Sequence, residues 1–228
     1  MGDNILTMIK VIELPIDKDM GGLTSYVLQL YRMIDKEEFE LTLLSYDDPQ
    51  NFDVNYKVET VSRPYHIIQF YKKMKCLLSE GKDIIHFHQS YVNIIPILTA
   101  KLAGFKTIIL HAHSSSIDDN RKIVRFLKTG LHKVGRFLLP YLVDTYIGCS
   151  TKASEWMFPR KCIDSDSYYL LHNAIDLDLY DRNINLGLEV RQKFNIPKDA
   201  LVVGHIGRFT PVKNHSFIID IFKEVLKQ

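Results

Sequence analysis

The chain has 228 residues, enough for one large domain or for one domain and part of another, because domains commonly run to about 100–200 residues. Its 46% hydrophobic and 25% charged residues exclude a disordered chain, and a net charge of +2 excludes a chain-wide attraction to nucleic acid. Cys76, Cys149 and Cys162 have no short paired spacing and suggest neither a disulfide framework nor a zinc site, while no apolar run reaches the roughly 18 residues that span a bilayer.

Ile5 to Leu14 is an apolar, β-branched run that reads as a strand stopping at Pro15. A polar loop with Asp17, Lys18 and Asp19 leads to Gly21-Gly22, where Leu23, Val27, Leu30, Tyr31 and Ile34 set a helical period. A glycine pair at a helix mouth lets a backbone come close to an anion over free N–H groups, and it equally serves a plain tight turn. The alternation then repeats. Strands are predicted over Phe39 to Ser45, Tyr56 to Val61, Asp83 to Phe87, Thr107 to Leu110, Val143 to Ile147 and Tyr168 to Leu171. Helices are predicted over Ile67 to Leu78, Val92 to Ala103 ending at Gly104, Arg121 to Leu139 ending at Pro140, and Thr151 to Phe158. Asp176 to Lys198 is more polar, and Leu201 to Ile206 begins another strand, loop and helix.

Short apolar strands alternating with helices predict an α/β fold: a Rossmann-like parallel sheet with helices on both faces, whose ligands bind beyond the carboxyl ends of the strands. Gly21-Gly22, His86, His88, His111, His113, Ser150 and Asn173 all fall at or after predicted strand ends. The expected division is a first domain over 1–175, a linker over 176–199, and the first strand–helix unit of an incomplete second domain over 200–228. The N-terminus lacks a basic leader with a small-residue cleavage site, so a cytoplasmic location is expected.

Six stretches, in order, carry a resemblance: "MGGLTSYVLQLYR", "DIIHFHQS", "TIILHAHSSS", "YIGCSTKASEWM", "LLHNAIDLDLY" and "VVGHIGRFTPVKNHSFIIDIF". Together they resemble the family 4 glycosyltransferases, retaining sugar-nucleotide enzymes of the two-domain GT-B architecture, of which this chain matches the N-terminal half and the opening of the donor domain. The resemblance implies transfer of a sugar from a nucleoside-diphosphate sugar to a polysaccharide or lipid-linked acceptor, with no cofactor. It implies that Arg208 and Lys213 contact the donor diphosphate, and that Gly21 and Gly22 lie near the same phosphates. His113 aligns with the family's active-site histidine, which supports the transition state from beside the sugar. The family's acidic motif would lie past Gln228, so the chain alone is expected not to turn over. A non-catalytic module that binds acceptor or membrane is the rival expectation.

His88 and His111 are rivals to His113 on neighbouring strand ends and are expected to line the cleft or acceptor side. Imidazoles on adjacent strands raise the thought of a metal, but with no cysteine or carboxylate at short spacing none is expected. Ser150 reads as a helix N-cap and Asn173 as turn chemistry, each with a lesser claim on the cleft. Residues 121–139 form a basic amphipathic helix: Arg121, Arg125, Lys128, His132 and Arg136 share one face, Ile123, Leu127, Leu131, Val134 and Leu138 another. Either the apolar face packs on the sheet and the basic face is solvated, or the helix docks on anionic lipid at the inner face of a membrane. The charges do not alternate with stacking aromatics, so nucleic acid is not an expected partner.

Overall fold

The computed structural model describes residues 8–17, 21–48, 52, 56–177 and 184–227. Strand and helix alternate as β1 (Ile9–Ile16), α1 (Gly22–Met33), β2 (Phe39–Ser45), β3 (Val58–Thr60), α2 (Ile67–Ser79), β4 (Ile84–Gln89) and α3 (Ile94–Ala103). They continue as β5 (Thr107–Ala112), α4 (Lys122–Leu142), β6 (Thr145–Gly148), α5 (Thr151–Met157), α6 (Arg160–Ile163) and β7 (Tyr168–Leu170). All neighbouring strands are parallel, in the order β3-β2-β1-β4-β5-β6-β7. The chain runs outward from β1 to β3, returns to β4 on the other side of β1, and runs outward again. Such a reversal opens a crevice at the carboxyl ends of β1 and β4, where ligands of open α/β sheets bind.

One face of the sheet carries the main core. Ile12, Leu14, Ile85, Phe87, Ile108 and Leu110 pack there against Phe70, Met74 and Leu77 of α2, Ile97 and Ala100 of α3, and Ala153 and Met157 of α5. The other face has a smaller cluster of Ile16 and Leu43 beneath Val27 and Leu28 of α1. Local signals set the boundaries. Asn93 caps α3 by accepting from the Ile95 N–H, and Gly104 ends it at φ 109°, a conformation costly for a residue with a Cβ.

Several boundaries differ from the sequence expectation. β1 runs through Pro15 to Ile16, because the register with β2 shifts between Glu13 and Ile16 and an irregular rung tolerates a residue without an N–H. β4 and β5 extend to Gln89 and Ala112, so His88 and His111 lie within strands rather than after them, while His86 stays inside β4 as expected. Pro140 sits inside the last turn of α4, which runs on to Leu142.

The orientation of α4 also corrects the expected faces. Its buried side holds His132, Gly135 and Leu139, while Ile123, Phe126, Leu127, Val134, Phe137 and Tyr141 are exposed. Two features turn it that way. A Cβ on Gly135 would come within 2.4 Å of the Val92 side chain, so glycine permits the close approach, and His132 stacks on Trp156 at 4.2 Å. Arg136 donates to the carbonyls of Glu155, Trp156 and Phe158. Arg121 and Lys128 both bond the Asp119 carboxylate, whose pKa is held low by those two cations.

His132 Nδ1 accepts the Val92 N–H at 3.0 Å, which requires that nitrogen to be unprotonated. Burial and the Arg136 charge lower its pKa to about 4. The unfolded chain, with an ordinary histidine near 6.5, therefore binds the proton first. The stability contributed here is complete above about pH 6.5 and is lost as pH falls towards 4, by about 1–3 kcal/mol. Chemical denaturation at pH 8 and pH 5 checks this: His132→Asn should reduce the difference between the two, and an unchanged difference would refute it.

The chain divides into two compact units, Met1–Ile175 and Asp176–Gln228. In the second unit the expected linker stretch carries α7 (Ile184–Lys193), and the Arg191 guanidinium donates to the carbonyls of Pro197 and Ala200. No strand forms over Leu201 to Ile206, since none of the described residues pairs with this backbone. A 3-10 turn (Pro211–Lys213) then leads to α8 (His215–Val225), which buries none of its residues.

Candidate functional site

The register of the sheet assembles a polar layer from distant parts of the chain. Glu13 of β1 lies opposite His86 of β4, and His88 of β4 lies opposite His111 of β5. Side chains alternate along a strand, so His86 and His88 share a face, as do His111 and His113 two residues on. Tyr26 of α1 packs onto this layer, with its ring 6.0 Å from that of His88, 5.1 Å from His111 and 5.3 Å from His113.

Glu13 is 1% exposed and is the electrostatic centre of the layer. Burial alone would raise its pKa, but the charge and hydrogen bonds of His86 and His88 overcome that and bring it to about 2. Its carboxylate lies 3.0 Å from His86 Nδ1 and 2.6 Å from His88 Nε2. Burial, reinforced by histidine neighbours, lowers the pKa of His88 to about 4 and also lowers those of His111 and His113. The rings of His88, His111 and His113 are therefore neutral at pH 7.

An ionised carboxylate only accepts, so His86 donates through Nδ1 and His88 through Nε2. His88 Nδ1 is left with its lone pair and accepts from His113 Nε2 at 2.8 Å. The chain Glu13, His88, His113 thereby fixes one tautomer of His113 and holds its Nδ1 lone pair at the outer end of the relay. His113 is half-buried, beyond the end of β5, with its backbone N–H donated to the Gln89 carbonyl at 3.0 Å. The arrangement can position a neutral imidazole at the carboxyl edge of the sheet.

A sequence model described as Glycosyltransferase Family 4 matches residues 20–179. The chain belongs to glycosyltransferase family 4. Two curated relatives agree in kind: EpsF of Bacillus subtilis (strain 168), a glycosyltransferase by name, is 25% identical over 93% of this chain and 57% of its own length. The UDP-Gal:alpha-D-GlcNAc-diphosphoundecaprenol alpha-1,3-galactosyltransferase of Escherichia coli is 21% identical over 96% of this chain and 58% of its own. The chain thus spans a little under three fifths of the relatives it matches. The Anabaena protein HepE, solved with UDP and glucose, shares the fold at TM-score 0.69 and 15% identity, over 96% of this chain and 58% of that one. Staphylococcus aureus MnaA, solved with UDP, does so at TM-score 0.50 and 17% identity, over 82% of this chain and 50% of that one.

The other expected site residues of this family 4 chain fall as follows. Gly21 is the N-cap of α1 with extended backbone, and a Cβ on Gly22 would meet nothing within 4 Å. Neither position needs glycine for its turn, and the space above Gly22 is open. Asp17 ties the end of β1 to α1 through its backbone N–H, which donates to Thr24 Oγ1 at 3.1 Å. Lys18, Asp19 and Met20 lie outside the described residues. Ser150 caps α5, accepting from the Ala153 N–H at 3.2 Å, which is the structural reading of that residue. Asn173 is exposed in the coil after β7. Arg208 and Lys213 belong to the second unit, both exposed, in one tight loop where the Thr210 N–H bonds the Arg208 carbonyl and the Lys213 N–H bonds that of Thr210. The sequence reading missed Glu13 and Tyr26. The signal for Glu13 was present: it is the single acid in the apolar run IKVIELPI, near the carboxyl end of a central strand.

Proposed function

We propose that this chain is the acceptor-side domain, over 1–175, and the opening of the donor domain, from 200, of a glycosyltransferase. The enzyme moves a sugar with retention from a nucleoside-diphosphate sugar to a polysaccharide or lipid-linked acceptor. The observation that carries this is the family match over residues 20–179, which spans β4 and β5, the two strands that carry the histidines of the layer. The names of the Escherichia coli relative, with UDP-Gal and a diphosphoundecaprenol acceptor, and of HepE with UDP and glucose support the substrate class.

In this reading His113, oriented by His88 and Glu13, faces the sugar and stabilises positive charge developing at its anomeric carbon. Arg208 and Lys213 hold the diphosphate with charge-assisted hydrogen bonds, and the open N-terminus of α1 at Gly21-Gly22 adds backbone N–H groups for an anion. His111 packs behind His113, while Ser150 and Asn173 shape the acceptor side. The chain by itself binds donor weakly and does not transfer, because catalysis depends on positioning to about 1 Å and the chain covers only 57% and 58% of the two curated relatives.

Titration of UDP-glucose and UDP-galactose, followed by amide chemical shifts, tests the donor assignment. Shifts in the 207–214 loop, at least tenfold weakened in Arg208→Ala, are expected. Equal shifts with inorganic phosphate alone would reduce the loop to an anion trap. Robust UDP release by residues 1–228 with a crude lipid acceptor would refute the need for more chain.

A second reading, docking to an anionic lipid surface on the cytoplasmic side, is favoured by α4. The exposed stripe Ile123, Phe126, Leu127, Val134, Phe137 and Tyr141 is bordered by Lys122, Arg125 and Lys133, which form no ion pairs among the described residues. No described helix is long and apolar enough to cross a membrane, and an apolar stripe with a cationic border suits a helix lying in the interface. This reading stands beside catalysis and, alone, describes a binding module.

A further inference from the structure

The histidine layer contains more donor atoms than its hydrogen bonds use. His111 is fully buried, yet neither of its ring nitrogens has a partner among the described residues, and His86 Nε2 is equally buried and unpartnered. Buried polar atoms are nearly always paired, so three orphaned nitrogens in one layer call for a ligand. One nitrogen from each of His86, His88 and His111 lies within 4.8 Å of the others.

We propose that His86, His88 and His111 form a binding site for a divalent transition-metal ion of the zinc class, between β4 and β5 beneath Tyr26. The ligand chemistry fits: imidazole nitrogens suit zinc, cobalt, nickel and copper, and not magnesium or calcium. The outer shell fits as well. Glu13 accepts the Nδ1 proton of His86, which leaves Nε2 as the unpartnered nitrogen of that ring, and a carboxylate behind a ligating histidine is a recurrent feature of zinc sites. The negative charge of Glu13 also offsets part of the ion's charge in a buried place. The objection that no carboxylate stands at short spacing falls, because the fold supplies one 73 residues before His86.

Two adjustments accompany binding. A tetrahedral zinc ion with bonds of about 2.0–2.1 Å sets its nitrogens roughly 3.4 Å apart, so the rings have to rotate to close any pair by at most about 1.4 Å. His88 has no spare lone pair, and ligation through Nδ1 displaces the Nε2–H of His113. Metal occupancy and the position of His113 are therefore coupled. The inference is independent of the glycosyltransferase reading, since it concerns the ion and these rings alone.

The test is equilibrium dialysis of the untagged chain with Zn2+, with cobalt absorption and long-range histidine nitrogen NMR on the same protein. One equivalent of Zn2+ per chain is expected, with ring signals of His86, His88 and His111 shifting together and His113 losing its bond. His86→Asn and His111→Asn should each weaken binding more than tenfold, and His205→Ala, at the ring pair with His215 in the second unit, should leave it unchanged. Where an Asn variant fails to fold, the ring shifts of the unaltered chain decide. No saturable uptake, or uptake that shifts only His205 and His215, would overturn the proposal.

Discussion

Glu13→Ala is expected to destabilise the first unit by about 3–5 kcal/mol, the usual cost of removing one partner from a buried charged network. The substitution leaves the Nδ1–H of His86 and the Nε2–H of His88 without an acceptor in the interior, and it opens a void beneath Tyr26. Glu13→Gln keeps the volume and one acceptor oxygen but turns an NH2 group towards a histidine N–H, so an intermediate loss of about 1–3 kcal/mol is expected. Urea unfolding followed by circular dichroism measures both, against Glu155→Ala at an exposed position of α5. If Glu13→Ala falls within 0.5 kcal/mol of that control, the carboxylate does not anchor the layer.

The second large effect concerns α4 and lipid. Phe126→Glu with Phe137→Glu should abolish sedimentation with anionic vesicles, because each buried phenylalanine contributes about 1.5–3 kcal/mol and each replacement adds a repelled charge. Arg125→Glu with Lys133→Glu should weaken binding and remove most of its salt dependence, at about 1 kcal/mol per basic residue lost. Lys128 is the wrong residue for this test, since its ammonium already bonds Asp119 at 2.9 Å. Both exposed pairs should leave the melting temperature nearly unchanged. Equal binding of neutral and anionic vesicles, or full binding by the Phe126 and Phe137 variant, would eliminate the docking reading.

Alternation of apolar strands and periodic helices was legible enough to place β2 at its observed limits and every other strand of the first unit within a few residues. What escaped was set by partners rather than by local pattern. The side on which α4 packs depends on Val92 and Trp156, which meet Gly135 and His132 only in three dimensions, so the helical period showed the two faces and not which one is covered. Leu201 to Ile206 has strand composition, but a strand needs a neighbouring backbone, and the described residues offer none. The histidines were visible as strand-end residues. Their meaning required Glu13, which becomes their neighbour through the β1–β4 pairing and not through proximity in sequence.

The central place of β1 has a consequence for how the chain is made. Synthesis delivers β1 first, and β2 pairs with one of its edges after Phe39 emerges, but the opposite edge waits for Ile84. Until then a nascent strand carrying Val11, Ile12 and Leu14 presents an open row of peptide groups, the condition that favours pairing with another chain. Glu13 sits in the middle of that strand, and before β4 arrives its charge has no histidine to meet. A charge in the middle of an apolar strand is the placement that discourages such pairing, so the sequence of β1 carries at Glu13 a safeguard as well as an anchor for the polar layer.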